Sequence, residues 1–159
     1  MTTLALLGAL LTLVLAAVVA GTFFAFSVSV LPGLNTLEPE RAVASMRAMN
    51  AKILNPLFLT PFMAVPLTAI ATALALLALG HRAAALAFVA AAVTYAVGAF
   101  LPTVAVNVPL NEALATGTAD PATSWQDFAP RWAHFNALRT ASGTATVLLS
   151  AVGLHLWPR

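Results

Sequence analysis

The stretch Thr2–Leu37, TTLALLGALLTLVLAAVVAGTFFAFSVSVLPGLNTL, contains no charged residue. An α-helix rises 1.5 Å per residue, so about 20 apolar residues cross the hydrocarbon core of a bilayer. Three more uncharged stretches follow: Ile53–Gly80, Ala83–Asn111 and Thr140–Pro158. Each is long enough to cross. The backbone of a spanning segment must satisfy its own hydrogen bonds, and these segments have no strand alternation, so helices are the solution. The expected fold is an all-α membrane protein: an antiparallel four-helix transmembrane bundle, with residues 1–159 as a single domain.

Composition agrees. Of the 159 residues, 61% are hydrophobic and only 8% are charged, against about 25% charged in a soluble domain. The net charge of +2 is spread without a basic run, which argues against a nucleic-acid partner. There is no Cys, so disulfides, thiolate metal sites and dithiol chemistry are excluded. His81, His134 and His155 are scattered and make no ligand cluster. The leader Met1-Thr2-Thr3 has no Lys or Arg, and the apolar stretch after it exceeds a signal core, so a retained helix is expected.

Along the chain, the first span is expected from Leu4 to Leu31, ended by Pro32-Gly33. Ala17, Gly21 and Ala25 make a small-residue stripe on it, suited to helix packing inside the chain or to a homo-oligomer contact. Residues Pro39–Leu54 suit an additional amphipathic surface helix. Val43, Met46, Asn50, Ile53 and Leu57 follow helical spacing, with Arg41, Ser45, Ala48 and Lys52 on the other side. Asn55-Pro56 breaks it. The second span, Leu57–Leu79, contains Pro61 and Pro66, which predict a kink or local opening. The short link Gly80-His81-Arg82 makes a hairpin with the third span, Ala83 to Val106. Ser124 and Asp127 have the spacing of a capping box before the last span. That span runs to Leu156, with Trp157 placed as an interfacial anchor. A strict Lys and Arg count puts the long connections inside. If the bundle ties up Arg47 and Arg139, the termini become the cytoplasmic side.

Chemistry concentrates in Trp125–Thr140. On a helix, Trp132, Asn136, Arg139 and Gly143 share one stripe. Arg139 enters the membrane there and needs a partner or water. Its fork suits a carboxylate, phenolate or carbonyl. Snorkelling to headgroups or pairing with Glu112 is the structural alternative. His134 alone among these groups titrates near neutral pH, but it lies about 180° from Asn136 on the helix. Asn107 and Asn111 either turn amides toward a pocket, or Asn107 caps a short helix starting near Pro109. Asn50 interrupts the apolar stripe of the surface helix, so it needs a buried partner. No acid falls in an uncharged stretch, which removes the main support for a proton-coupled exporter. Without paired His, membrane carboxylates or a Gly-rich dinucleotide fingerprint, no metal or other cofactor is expected.

The segments Gly21-Thr-Phe-Phe-Ala-Phe-Ser27, Met46-Arg-Ala-Met-Asn50, Asn107-Val-Pro-Leu-Asn111 and Trp132-x3-Asn136-x2-Arg139-Thr140 together resemble the anthrone oxygenase-like membrane proteins. This family of domains of unknown function includes oxygenases of aromatic polyketide pathways. The resemblance covers nearly the whole chain. Many relatives carry His directly after the Asn of the last motif, where this chain has Ala137. The resemblance implies O₂-dependent oxidation of an anthrone or another apolar aromatic, quinone-like small molecule, without a cofactor, in a bacterial plasma membrane. It implies roles for Arg139 with Asn107 or Asn111 in holding an enolate oxygen, and for His134 as base. Asn50 and Asn136 would contact substrate, and Trp125 or Trp132 would stack on its rings. The other function open to such a chain is non-enzymatic binding of membrane lipid or partner helices through the same polar rim.

Overall fold

The computed structural model describes residues 2–157, which form five helices and no strand. They are α1 (Thr2–Leu34), α2 (Pro39–Ile53), α3 (Pro56–Ala78), α4 (Arg82–Thr116) and α5 (Pro121–His155). All but α2 are long and apolar enough to cross a membrane, as integral membrane helices must be. Met1 of the leader, and Pro158 and Arg159 at the C-terminus, lie outside the described residues.

Two Asx-Pro steps start helices. The Asn55 side chain accepts from the N–H groups of Leu57 and Phe58, and Asp120 accepts from Ala122 and Thr123. Proline then occupies the first turn, where its missing N–H leaves nothing unpaired. The Asp120-Pro121 start overrides the capping box expected at Ser124 and Asp127. Both of those residues lie inside α5. At the α3–α4 hairpin, Gly80 takes a φ of 83°, and the His81 N–H returns to the Leu76 carbonyl. This is a glycine-terminated helix end that reverses the chain.

Prolines inside the helices do not end them. Pro32 was expected to close the first span, yet α1 continues to Leu34, and α4 runs beyond Val106 to Thr116. In α1 and α4 the helix instead widens ahead of its prolines, whereas Pro61, Pro66 and Pro130 sit within regular α-helix. Phe26–Val30, Ala96–Phe100 and Thr103–Asn107 are π turns. The N–H groups of Leu31, Leu101 and Val108 reach five residues back, to Phe26, Ala96 and Thr103. Pro32, Pro102 and Pro109 come next. The wider turn gives each ring room against the preceding carbonyls. In α3, Pro66 removes the donor that the Phe62 carbonyl would use, and the Tyr95 hydroxyl donates to it from α4 at 2.9 Å.

The helices close a ring in which α1 and α4 each pack on both α3 and α5. Neighbours run antiparallel: Gly8 near the start of α1 meets Thr72 near the end of α3, and Gly153 meets Phe88 likewise. The interior favours small residues such as Ala9, Ala16, Ala69, Ala84 and Ala91, while Leu4, Val14, Leu67, Leu74 and Val97 face outward. That is the arrangement lipid permits, because burying Leu gains little when lipid is equally apolar. The stripe Ala17, Gly21, Ala25 is exposed. Small residues occur on every side of α1, and the inward set is Ala16, Ala20 and Phe23.

Helix α2 lies against α5 and the end of α4. Val43 and Met46 are buried, but Leu57 is 88% exposed, because the chain has already turned at Asn55-Pro56. Trp157 is buried among Ala5, Leu76 and Phe88, not set out as an interfacial anchor. The C-terminal turn folds it back over the small residues at that end of the bundle.

Candidate functional site

The inward face of α5 carries Trp132, Asn136, Arg139 and Gly143, all buried. Gly143 lets α1 approach closely: a Cβ there would lie 3.1 Å from the Ala20 Cβ. Arg139 is 5% exposed, so it does not snorkel, and Glu112 is an exposed residue that does not hold it. Its NH2 donates to Asn136 Oδ1 at 2.8 Å and its NH1 to Thr103 Oγ1 at 3.2 Å. The guanidinium carbon lies 4.4 Å from the Phe23 ring centroid and 5.1 Å from that of Trp132. Both hydrogen-bond partners are neutral. Attraction to the aromatic faces offsets part of the cost of burying the cation.

Asn136 is held from α1. Its Nδ2 donates to the Phe23 carbonyl at 2.9 Å and to Ser27 Oγ at 2.8 Å, which turns Oδ1 toward Arg139. Ser27 Oγ lies 3.1 Å from Thr140 Oγ1. On α4, Thr103, Asn107 and Asn111 recur at helical spacing along the face toward α5. Asn107 is not a cap. Its backbone is helical and its side chain makes no cap bond; Nδ2 instead donates to the Trp132 carbonyl at 3.4 Å. Asn111 Oδ1 accepts from Trp132 Nε1 at 2.9 Å. The π turns supply Ser27, Thr103 and Asn107, so the widened segments and the polar cluster coincide.

Three buried polar atoms here have no partner among the described residues: Arg139 Nε, Asn107 Oδ1 and Asn50 Nδ2. Asn50 sits one turn beyond Met46, which packs in the cluster containing Trp132, but it bonds to none of the other Asn residues. Trp125 donates from Nε1 to Asn35 Oδ1 at 3.0 Å. Its ring reaches Trp132 through Phe128, with centroid separations of 5.7 and 6.3 Å. His134 is exposed, set edge-on against Phe135, and is not brought to the cluster. Arg131 also lies on the outside.

Two surface hollows flank this aromatic column. One of about 280 Å³ lies between Leu110, Leu114, Asp127 and Phe128, and one of about 340 Å³ between Leu31, Asn35, Trp125 and Ala133. Neither includes Arg139. Arg47 donates to the carbonyls of Leu114 and Gly117 at 2.7 and 3.0 Å, tying α2 to the end of α4, where cations suit the helix dipole. Among the described residues, no three His, Asp or Glu side chains gather as metal ligands.

Ser27, Thr103, Phe23 and Thr140 complete the cluster; Phe23, Ser27 and Thr140 lie within the motifs that carry the family resemblance but have no site role assigned from the sequence, and Thr103 lies outside those motifs. Thr103 was within reach of the sequence, since Thr103, Asn107 and Asn111 keep i, i+4, i+8 spacing. Ser27 closes one of the resemblance motifs, but no helical spacing within α1 ties it to the site.

A family model described as anthrone oxygenase matches residues 56–149, more than half of the chain, from the start of α3 into α5. No curated protein and no solved structure matches the chain.

Proposed function

This chain belongs to the anthrone oxygenase family, and from that premise we propose that it is a cofactor-independent oxygenase acting on an apolar aromatic, quinone-forming substrate. The observation that supports the reading is Arg139: a buried cation with neutral partners, aromatic rings beside it and Nε unbonded. Burying an uncompensated cation is costly. An anionic oxygen seated at Nε would remove most of that cost.

An anthrone supplies such an anion. Its methylene is acidic because the charge left after proton loss spreads onto the ketone oxygen. The enolate passes one electron to O₂, giving superoxide and a ring radical. These combine at the former methylene carbon as a peroxide anion, which takes a proton back from water to become the hydroperoxide, and loss of water then forms the second ketone. The balance is anthrone plus O₂ to anthraquinone plus water: the carbon is oxidised and O₂ is reduced.

In this reading Arg139 stabilises the enolate, Asn136 fixes the guanidinium, and Trp132 and Phe23 flank the substrate rings. Asn107, Asn111 and Asn50 line the binding region, and Trp125 leads to it. His134 faces away, so the methylene proton goes to water, with the Arg139 field favouring ionisation. Membrane lipid, in a bacterial plasma membrane, delivers the apolar substrate. The rival reading, lipid or partner-helix binding without chemistry, requires the polar groups to satisfy one another. Most of the cluster does so, through Arg139, Asn136, Thr103, Asn107 and Asn111, and neither hollow reaches Arg139; the three atoms left over favour a ligand. A homo-oligomer would use the exposed Ala17, Gly21 and Ala25 stripe.

The test is purified protein in detergent given an anthrone, followed by O₂ uptake and anthraquinone absorbance. Turnover should survive chelators, need no added flavin, and fall at least about 100-fold in Arg139→Ala, in line with removal of an oxyanion donor. Uptake no faster than that of Arg139→Ala would refute the enzyme. Stoichiometric copper or iron whose removal stops turnover would refute cofactor independence.

A further inference from the structure

The hollow of about 280 Å³ between α4 and α5 has an apolar floor, where Leu114 and Phe128 are buried, and a charged rim. Among the described residues lining it, Asp127 is the sole anion and Arg131 the sole cation. Both are exposed, and they stand one turn apart on α5, about 6 Å along its axis. Opposite charges at this spacing suit a mutual contact, yet no ion pair within 4.0 Å joins them among the described residues. Arg47 is committed elsewhere, to the Leu114 and Gly117 carbonyls. The packing of α4 on α5 fixes the depth of the hollow. Trp132 bonds to Asn111, so Arg131 stands level with Glu112, the first charge on α4 after Arg82. Arg131 thus marks the level where hydrocarbon gives way to headgroups, and Asp127 lies one turn farther out. On the membrane side of Arg131, the same face of α5 continues as the partly exposed Phe135 and the exposed Leu138.

A cation at the hydrocarbon edge with an anion one turn outward is the reverse image of a zwitterionic phospholipid. In such a lipid the phosphate lies next to the glycerol and the ammonium forms the tip of the headgroup. We propose that this hollow binds a phospholipid whose headgroup ends in a primary ammonium. Arg131 holds the phosphate, Asp127 accepts from the ammonium N–H groups, and the acyl chains descend along Phe135 and Leu138. The order of charges selects among lipids. An anionic headgroup without an amine brings like charge to Asp127, and a choline headgroup has no N–H to donate to it. This site is separate from Arg139 and does not depend on the oxidation.

Native mass spectrometry of the full chain in detergent reads how much lipid the protein retains. The probes are dioleoyl phospholipids with ethanolamine, choline or glycerol headgroups, titrated one at a time. The ethanolamine lipid should be retained at about fivefold lower concentration than either of the others, the upper end for one exposed ion pair. Asp127→Asn should erase that preference, and Arg131→Gln should weaken the ethanolamine and choline lipids alike. Both positions are exposed, so both variants should melt with the parent protein. Tighter retention of the glycerol lipid would overturn the proposal and leave only general attraction to a cationic protein. Equal retention of the ethanolamine and choline lipids would overturn it too, as would a preference that survives Asp127→Asn or retention that Arg131→Gln leaves unchanged. The comparison of headgroups in the unmodified protein stands even if a variant does not fold.

Discussion

Arg139 sits where a single side chain serves both packing and chemistry. Its two N–H contacts satisfy Asn136 Oδ1 and Thr103 Oγ1, so truncation strands groups that α1 and α4 have already buried. Arg139→Ala should cost about 2–6 kcal/mol of stability, from two buried polar groups at about 1–3 kcal/mol each. Thermal unfolding in a fixed detergent measures it. Arg139→Lys should not restore the loss, because the three N–H donors of an ammonium radiate from one point and lack the planar fork that reaches Asn136 and Thr103 together while presenting Nε. His134→Ala should change stability by no more than about 0.5 kcal/mol and leave O₂ uptake intact, since the ring lies on the exposed side of α5. If His134→Ala abolished an oxidation that Arg139→Ala spared, the assignment of Arg139 would be wrong. The stripe Trp132, Asn136, Arg139 was legible because a polar residue on an apolar helix marks the inward face. The partner Ser27 was not. Its role depends on α1 and α5 crossing at Gly143, and no pattern within one helix encodes that crossing.

The helices show why proline misled the sequence reading of their ends. Removing an N–H and adding a ring predicts a break, yet widening the preceding turn accommodates the ring and lets α1 and α4 continue past Pro32 and Pro102. The widened turns also place Ser27 and Thr103 in the cluster. Pro102→Ala should let the turn at Ala96–Phe100 tighten to an ordinary α turn. The rest of α4 would then rotate by about 100° per residue of register lost, carrying Thr103 away from Arg139. The expected result is a protein that unfolds more easily, since α5 loses its bonds from Thr103, Asn107 and Asn111, and that takes up O₂ at least about tenfold more slowly; O₂ uptake beside a melting curve checks both halves. Proline has a different consequence in α3, where Pro66 frees the Phe62 carbonyl and Tyr95 covers it. Tyr95→Phe should cost about 1–3 kcal/mol, as an acceptor left bare does. Pro66→Ala restores a backbone donor, so the double variant should lose less than the sum of the two single losses. Additive losses in a double-mutant cycle would show that the two sites are independent.

At the level of the assembled bundle, what could be read from the chain and what could not divides along polarity. The four uncharged stretches sufficed for the class, since lipid leaves helices no alternative. The Asx-Pro steps at Asn55 and Asp120 mark two helix starts without any tertiary information. Which face of α1 turns inward could not be read, because α1 is apolar and small-residue-rich all round. Ala17, Gly21 and Ala25 looked as fit for packing as Ala16 and Ala20, and only the position of α5 decides between them. That decision makes two glycines on facing helices behave in opposite ways. At Gly143 an added side chain meets Ala20 within 3.1–3.2 Å, backbone included, so α1 would have to move. At Gly21 nothing lies within 4 Å. Gly143→Leu should therefore cost more than the usual 1–3 kcal/mol of overpacking and remove O₂ uptake too, since Arg139 lies one turn away and Asn136 relies on α1. Gly21→Leu should melt within about 0.5 kcal/mol of the parent protein, with any change confined to self-association, which sedimentation in detergent would detect. Equal destabilisation by the two substitutions would mean that α1 turns the other face to the bundle. The contacts from Phe23 and Ser27 to Asn136 would then fall with it.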